Sequence, residues 1–405
     1  MNSPTPVWIN FATSEYRRTG AAFFLAGFAT FSMLYCVQPL LPLFAADFGV
    51  SPAESSLTLS LATGTLAVSV AAGAAFSQAI GRRGLMFASM ALAAMFNLIA
   101  GIAPDWHTIL AARALEGFVL GGLPAVAMAY VAEEIEPAHL GRSMGLYVAG
   151  TAIGDMMGRI GMGILSEFLS WRVSIVVLSL YCFAAAVGFR LLLPPSRNFI
   201  RRPGLNVGMH LSIFRRHLCT PGLLRIYFCA FFAMSVFVTL FNYTTFRFSQ
   251  APYLLSQAAI STIFLAYGLG AVSSSIGGAL ADRFGARPLL LCSLAAVICG
   301  TLLTLADPLI VVVIGLVVMT IGYFIVHAVN SASVGPLAGE ATGHASALYL
   351  LFYYLGSSIS GTAGGWMWEH GGWPAVVAFT GLCGLLALTL IFTARPRPTG
   401  RPAGV

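Results

Sequence analysis

Lysine is absent from this chain of 405 residues, in which all 21 basic side chains are arginine, so lysine Schiff-base chemistry is ruled out. Charge of either sign is scarce. Charged residues make up 9% and apolar residues 58%, against roughly 25% and 45–50% in soluble domains, which excludes a water-soluble fold. The seven cysteines are an odd number, and Cys36, Cys182, Cys229, Cys292, Cys299 and Cys383 lie inside apolar runs, so no disulfide framework is implied. No phosphate-binding glycine loop, no His-Glu-x-x-His and no Gly-x-Ser-Gly is present. The nearest string, Ser358-Ile-Ser-Gly361, fails at its first residue. An ATP-driven pump and an intramembrane hydrolase therefore have no support, and no enzyme, metal or cofactor is implied. The net charge of +7 does not point to nucleic acid, because the arginines are not gathered on one amphipathic face.

Apolar runs of about 20 residues, the length needed to cross a hydrocarbon core of ~30 Å, recur along the whole chain. They predict an all-α membrane protein with twelve spans near 20–44, 54–80, 85–103, 107–131, 140–165, 173–193, 222–247, 255–280, 288–306, 308–332, 344–367 and 373–393. The first run is too long for a signal-peptide core and lacks a cleavage site behind it. With the N-terminus inside, seventeen arginines fall at cytoplasmic ends, and only Arg172 and Arg247 face out. That asymmetry predicts an inner-membrane protein with both termini cytoplasmic. The loop from Pro194 to Pro221 holds five arginines and no acid. It reads as a linker that touches anionic lipid at the inner face, dividing the chain into bundles 1–193 and 222–405 around a linker at 194–221.

The two halves repeat. Gly141, Leu146, Tyr147, Gly154 and Trp171 recur 202 positions later as Gly343, Leu348, Tyr349, Gly356 and Trp373, and Gly81 and Gln38 recur 204 positions later as Gly285 and Asn242. Six plus six helices in parallel repeat, joined by a basic loop, is the plan of transporters whose halves rock about a midplane site.

The string Gly278-Ala-Leu-Ala-Asp282-Arg283-Phe-Gly285-Ala-Arg287 is similar to the best-known signature of the major facilitator superfamily (MFS), and the likeness extends over essentially the full chain. Physically, the glycines allow a tight turn, and Asp282 with the arginines can make inter-helix ion pairs that close the inner face. The first-half copy ends Gln78-Ala-Ile-Gly81-Arg82-Arg83, with glutamine where the signature has aspartate. Arg82 or Arg83 is expected to reach Glu133 or Glu134 instead; that these arginines only set topology is the other reading. Arg113-Ala-Leu-Glu116-Gly117 resembles the superfamily's motif in the fourth span, and Gly150, Gly154 and Gly158 resemble the antiporter motif of the fifth, with Asp155 in place of its proline and Arg159 in place of a second glycine. Apart from the resemblance, a glycine row is also a close helix-packing seam. The phrase Leu34-Tyr-Cys-Val-Gln38-Pro39 and its neighbours resemble the bacterial inner-membrane efflux branch often labelled arabinose-efflux-like.

An ionised side chain near the middle of a span costs about 2.5–3.5 kcal/mol on insertion scales, so intramembrane charges point to function. Four are present: Arg113, Glu116, Asp155 and Arg159. Both arginines are expected roughly 9 Å to the outer side of the midplane at 1.5 Å per residue, with the acids between them and the centre, so the four can form one neutral cluster facing the cavity. One reading is a structural clamp. The other is proton coupling, with Asp155 the expected titrating group and Glu116 the second choice. Gln38 and Asn242 are expected to bond the solute from opposite walls, and Tyr35, Tyr243, Tyr349, Tyr353 and Trp366 to line the cavity; inter-helix bonding is expected of His327 and Asn330.

The function these readings imply is alternating-access transport of a small neutral or anionic amphipathic solute by a monomer, driven by a proton gradient and directed outward. Uptake by symport and a non-transporting solute sensor are the alternatives.

Overall fold

The computed structural model describes residues 8–198 and 207–393, the side chains of 71–80, 125, 207 and 340 excepted. Gln78 and Arg201, Arg202, Arg395, Arg397 and Arg401 therefore lie outside the described residues. In the first half, α1 runs Ser14–Tyr35 and continues through a 3-10 turn, Gln38–Leu40, into Leu41–Phe48. It is followed by α2 (Pro52–Ile80), α3 (Arg82–Ile102), α4 (Trp106–Leu120 and Gly122–Glu134), α5 (Leu140–Phe168) and α6 (Trp171–Leu192). A linker helix, Val207–Leu218, precedes the second half. That half holds α7 (Pro221–Ser249), α8 (Gln257–Ser261, Thr262–Leu265 and Ala266–Phe284), α9 (Ala286–Leu303) and α10 (Leu309–Ala332). The run Thr342–Phe392 is two helices, α11 and α12, divided at Gly372, where φ is 59° and Pro374 follows.

Nine stretches of the described residues are long and apolar enough to cross a membrane, the α11–α12 run counting as one. Pro52–Ile80 and Leu140–Phe168 are outside that set; both are rich in serine, threonine and glycine, the residues that pack and bond helices together in lipid. The helices overrun the spans expected from hydropathy because caps end them. Thr13, Ser51, Asp105, Ser170 and Ser256 each accept a backbone N–H of the following first turn, one of the donors that a helix start leaves without a partner.

Repeat-related residues do the same work in both halves. Gly81 (φ 95°) and Gly285 (φ 89°) make the same turn in a region that favours glycine. Arg83 donates to the carbonyl of Arg190 at the end of α6, and Arg287 to that of Phe392 at the end of α12, at 2.5 and 2.7 Å. Ser32 donates to Gly154 O and Ser235 to Gly356 O, at 3.0 and 3.4 Å.

The molecule has a linker face, which carries the start of α1, the α2–α3 turn and the linker helix, and a far face at the opposite helix ends. Among the described residues, every hydrogen bond between the halves lies from mid-depth to the far face. Glu369 accepts from Ala53 N at 2.8 Å, Ser358 donates to Ser60 O at 2.6 Å, Glu167 accepts from Ala258 N at 3.1 Å, and Gln257 bonds Pro39 O. The far face is sealed by backbone and small polar groups contributed by both halves.

Candidate functional site

The break in α1 organises the site. Past Tyr35 the α-helix gives way to a 3-10 turn containing Pro39, and the last carbonyls of the helix can take donors from elsewhere. Arg113 of α4 supplies them, donating to Met33 O at 3.1 Å and Leu34 O at 2.6 Å. Its remaining N–H groups reach Thr58 O on α2, Asn97 on α3 and, at 2.5 Å, Glu116. Arg113 and Glu116 are both fully buried. This pair fastens four helices of one bundle.

The second pair is separate. Arg159 Nη1 lies 2.5 Å from Asp155 Oδ1 and donates to the Asp155 carbonyl at 2.6 Å. Its Nε donates to Gln38 Oε1 at 2.5 Å, and Gln38 Nε2 in turn donates to Asn242 Oδ1 at 2.7 Å. The guanidinium lies over Tyr35 at 4.2 Å and, across the gap between the halves, over Tyr267 at 4.7 Å and Phe264 at 5.4 Å. The four charges therefore form two pairs on either side of the α1 break, and no hydrogen bond or ion pair joins them among the described residues. The expectation of one cluster fails because the α1 backbone, running between α4 and α5, takes donors of Arg113, while Arg159 turns to the Gln38 side chain and the Asp155 carbonyl. Of the two acids only the Asp155 side chain is accessible, at 17%, against 0% for Glu116.

Gln38 and Asn242 do come from opposite halves, as the repeat implies, but they bond each other and are fully buried. They belong to the seal and not to an open cavity wall. Tyr243 is also buried, donating to Gly361 O at 2.6 Å in the α7–α11 contact. Tyr349 bonds His327 at 3.0 Å, and Tyr353, which is partly accessible, accepts from Tyr323 at 2.8 Å. Asn330 donates to Ile226 O at 2.8 Å. Trp366 is 55% exposed and stacks on His370. On the second half, Tyr267 and Phe264 lie against the Arg159 guanidinium, and Tyr323 and Phe264 lie near Tyr267 through shared ring contacts. Sequence reasoning missed Tyr267, Tyr323 and Phe264, since an aromatic in an apolar run carries no mark of which face it lies on.

At the linker face Arg82 pairs with Glu133 at 2.6 Å, while Glu134 accepts backbone N–H groups of Arg197 and Asn198. Asp282 is exposed and makes no ion pair among the described residues, and Arg283 lies over Phe284 at 5.1 Å. The expected Asp282 closure is thus unmade while the far face is sealed. Gly150, Gly154 and Gly158 lie along the backbone of α1; an added Cβ at Gly154 would come within 2.6 Å of Phe28 Cα, and one at Gly158 within 2.6 Å of Ser32 Cα. Backbone cannot yield as a side chain can. Gly154→Val is expected to cost at least about 1–3 kcal/mol by overpacking and to reduce membrane-inserted protein several-fold on quantitative blotting. Wild-type levels would show that α1 and α5 are not held this close.

Among the described residues no group of three His, Cys, Asp or Glu is placed to hold a metal. The model of the Major Facilitator Superfamily matches residues 23–256 and 241–405, together nearly the whole chain. The chain belongs to the major facilitator superfamily. It is a membrane-spanning transporter, not an enzyme, and the transporter fold implies a small-molecule solute. This MFS chain is 40% identical over 383 residues to the uncharacterized MFS-type transporter YybF of Bacillus subtilis (strain 168), covering 95% of each. It is 40% identical over 381 residues to the inner membrane transport protein YnfM of Escherichia coli (strain K12), covering 94% of this chain and 91% of that one. In fold it is similar to a bacterial homolog of the human lysosomal transporter Spinster in its inward-facing, unoccupied conformation, with a TM-score of 0.75 at 14% identity over 94% of this chain and 97% of the other.

Proposed function

We propose that this transporter exports a neutral or anionic amphipathic solute in exchange for protons, as a monomer in the bacterial inner membrane with both termini cytoplasmic. The bundles 1–193 and 222–405 would rock about the mid-depth site, with 194–221 as the linker. The observation that carries this reading is the bonded path Asp155–Arg159–Gln38–Asn242, which runs from a partly accessible carboxylate to the contact that seals the far face. Protonating Asp155 would remove the anion that positions Arg159. Arg159 in turn orients Gln38 toward Asn242, so proton binding and far-face opening would share one set of bonds. The arginine asymmetry supports a cytoplasmic linker face, and Asp282, without an ion pair among the described residues, fits a state open on that side. With Glu116 paired to Arg113 and Asp155 to Arg159, the site offers no free anion to a cationic solute.

The direct test is purified protein in vesicles under an imposed pH gradient, with a panel of labelled metabolites and drugs. Proton-driven accumulation inside inside-out vesicles supports export. Accumulation only in right-side-out vesicles would identify uptake, and binding without counterflow would identify a sensor.

A second expectation concerns the seal. Asn242→Ala removes one neutral hydrogen bond, worth about 1 kcal/mol net, and is expected to raise far-face opening about fivefold. The readout is labelling of a Ser60→Cys reporter by an impermeant maleimide. Unchanged labelling would show that the amide pair does not hold the seal.

A further inference from the structure

A groove of about 920 Å³ lies between the linker-face ends of α1 and α5, within the ~300–1,000 Å³ of sites that hold small ligands. Its wall is apolar, formed by Gly20, Ala21, Phe24 and Leu146, and its mouth carries Arg17 and Arg142. Both guanidinium groups are exposed, and neither makes an ion pair among the described residues. Two of the neighbouring acids are engaged elsewhere, Glu15 by Arg197 and Glu133 by Arg82, and Glu136 lies 3.8 Å from His139. Arg142 is held 4.7 Å over the ring of Phe11, which fixes its position without neutralising it.

The groove also has a direction. Lower on the same face of α1, Phe28 meets Tyr181 of α6 at 5.9 Å, and Tyr181 is 52% exposed beside exposed Val177 and Leu180. That surface of α6 is the one a bilayer would cover, and Phe24 at the lower end of the groove stacks on Phe28 at 6.3 Å, so the apolar wall is continued by side chains toward the lipid-facing surface. The solute site is elsewhere, with Asp155 thirteen residues beyond Arg142 on α5, roughly 20 Å along the helix.

We propose that this groove binds an anionic phospholipid of the leaflet at the linker face, with the phosphate between Arg17 and Arg142 and one acyl chain along Gly20, Ala21, Phe24 and Leu146. Two arginines without an ion pair among the described residues, above an apolar wall, match the two ends of such a molecule. A zwitterionic lipid would satisfy only the channel, and free phosphate only the arginines. The site lies on α1 and α5, apart from the basic linker loop. It rests on membrane embedding and not on the direction, coupling or solute of transport.

The test is native mass spectrometry of the full chain released from nanodiscs of mixed phosphatidylglycerol and phosphatidylcholine, which contains no transport step. The expected result is selective retention of phosphatidylglycerol by the wild type. An arginine near a membrane surface contributes about fivefold in affinity, so Arg17→Gln with Arg142→Gln should weaken retention roughly 25-fold, and the paired lysine replacements should largely restore it. Ala21→Trp, which fills the channel and leaves the arginines, should also lower retention. Equal retention of the two lipids by the wild type, or unchanged retention in either the paired glutamine variant or Ala21→Trp, would overturn the proposal. So would thermal stabilisation by inorganic phosphate equal to that by phosphatidylglycerol, which would make it a simple anion site.

Discussion

Asp155→Asn is expected to abolish accumulation against a gradient while leaving counterflow within a few-fold of wild type. The replacement keeps the volume of the side chain and removes its charge. The guanidinium of Arg159 then keeps Gln38, the carbonyl of residue 155 and three aromatic rings, but no counter-ion. A pH difference of one unit corresponds to a factor of ten, or 1.36 kcal/mol. With one proton exchanged per solute, the wild type would accumulate solute up to about tenfold and the variant would equilibrate near unity. The measurement is labelled-solute accumulation in vesicles with and without the imposed gradient, at equal protein content. If Asp155→Asn retained full pH-driven accumulation while Asp155→Asn and Arg159→Gln both lowered thermal stability, the pair would be a clamp and the coupling group would lie elsewhere.

The largest stability effect is expected at Arg113, which no solute needs to touch. Arg113→Gln would leave Glu116 as a fully buried carboxylate without a counter-charge, although one of its oxygens already lacks a hydrogen-bond partner. It would also remove the donors to Met33 O, Leu34 O and Thr58 O. Breaking a buried pair on one side costs about 3–5 kcal/mol, and the variant is expected to unfold on extraction into detergent. Adding Glu116→Gln should recover part of the loss, because the stranded charge goes even though the carbonyls stay unmet. Thermal unfolding of the single and double variants checks this. A single variant within about 1 kcal/mol of wild type would show that the α1 break does not depend on Arg113.

Much of the fold was legible in sequence because lipid imposes a one-dimensional rule. Most spans are apolar for about 20 residues, so their positions follow from hydropathy, and the repeat follows from matches such as Tyr147 with Tyr349. The Arg82–Glu133 pair could be foreseen, since Gln78 left the arginine without its usual acid and α4 ends nearby in two glutamates. The site was only half legible. Its polar members stand out in apolar surroundings, whereas the aromatic wall of Tyr267, Tyr323 and Phe264 does not, and sequence depth alone placed Arg113 and Arg159 together.

The sequence by itself determined that this chain spans the membrane as two related halves, that Arg113, Glu116 and Arg159 are charges held away from water, and that Gln38 and Asn242 occupy equivalent positions. Those properties follow from transfer energies and from duplication, and both are written residue by residue. Only the tertiary structure decided which charges share a partner. Depth says how far along a helix a side chain lies and nothing about its azimuth, and the interrupted α1 backbone, passing between α4 and α5, captured Arg113 for one bundle and left Arg159 to bridge toward the other.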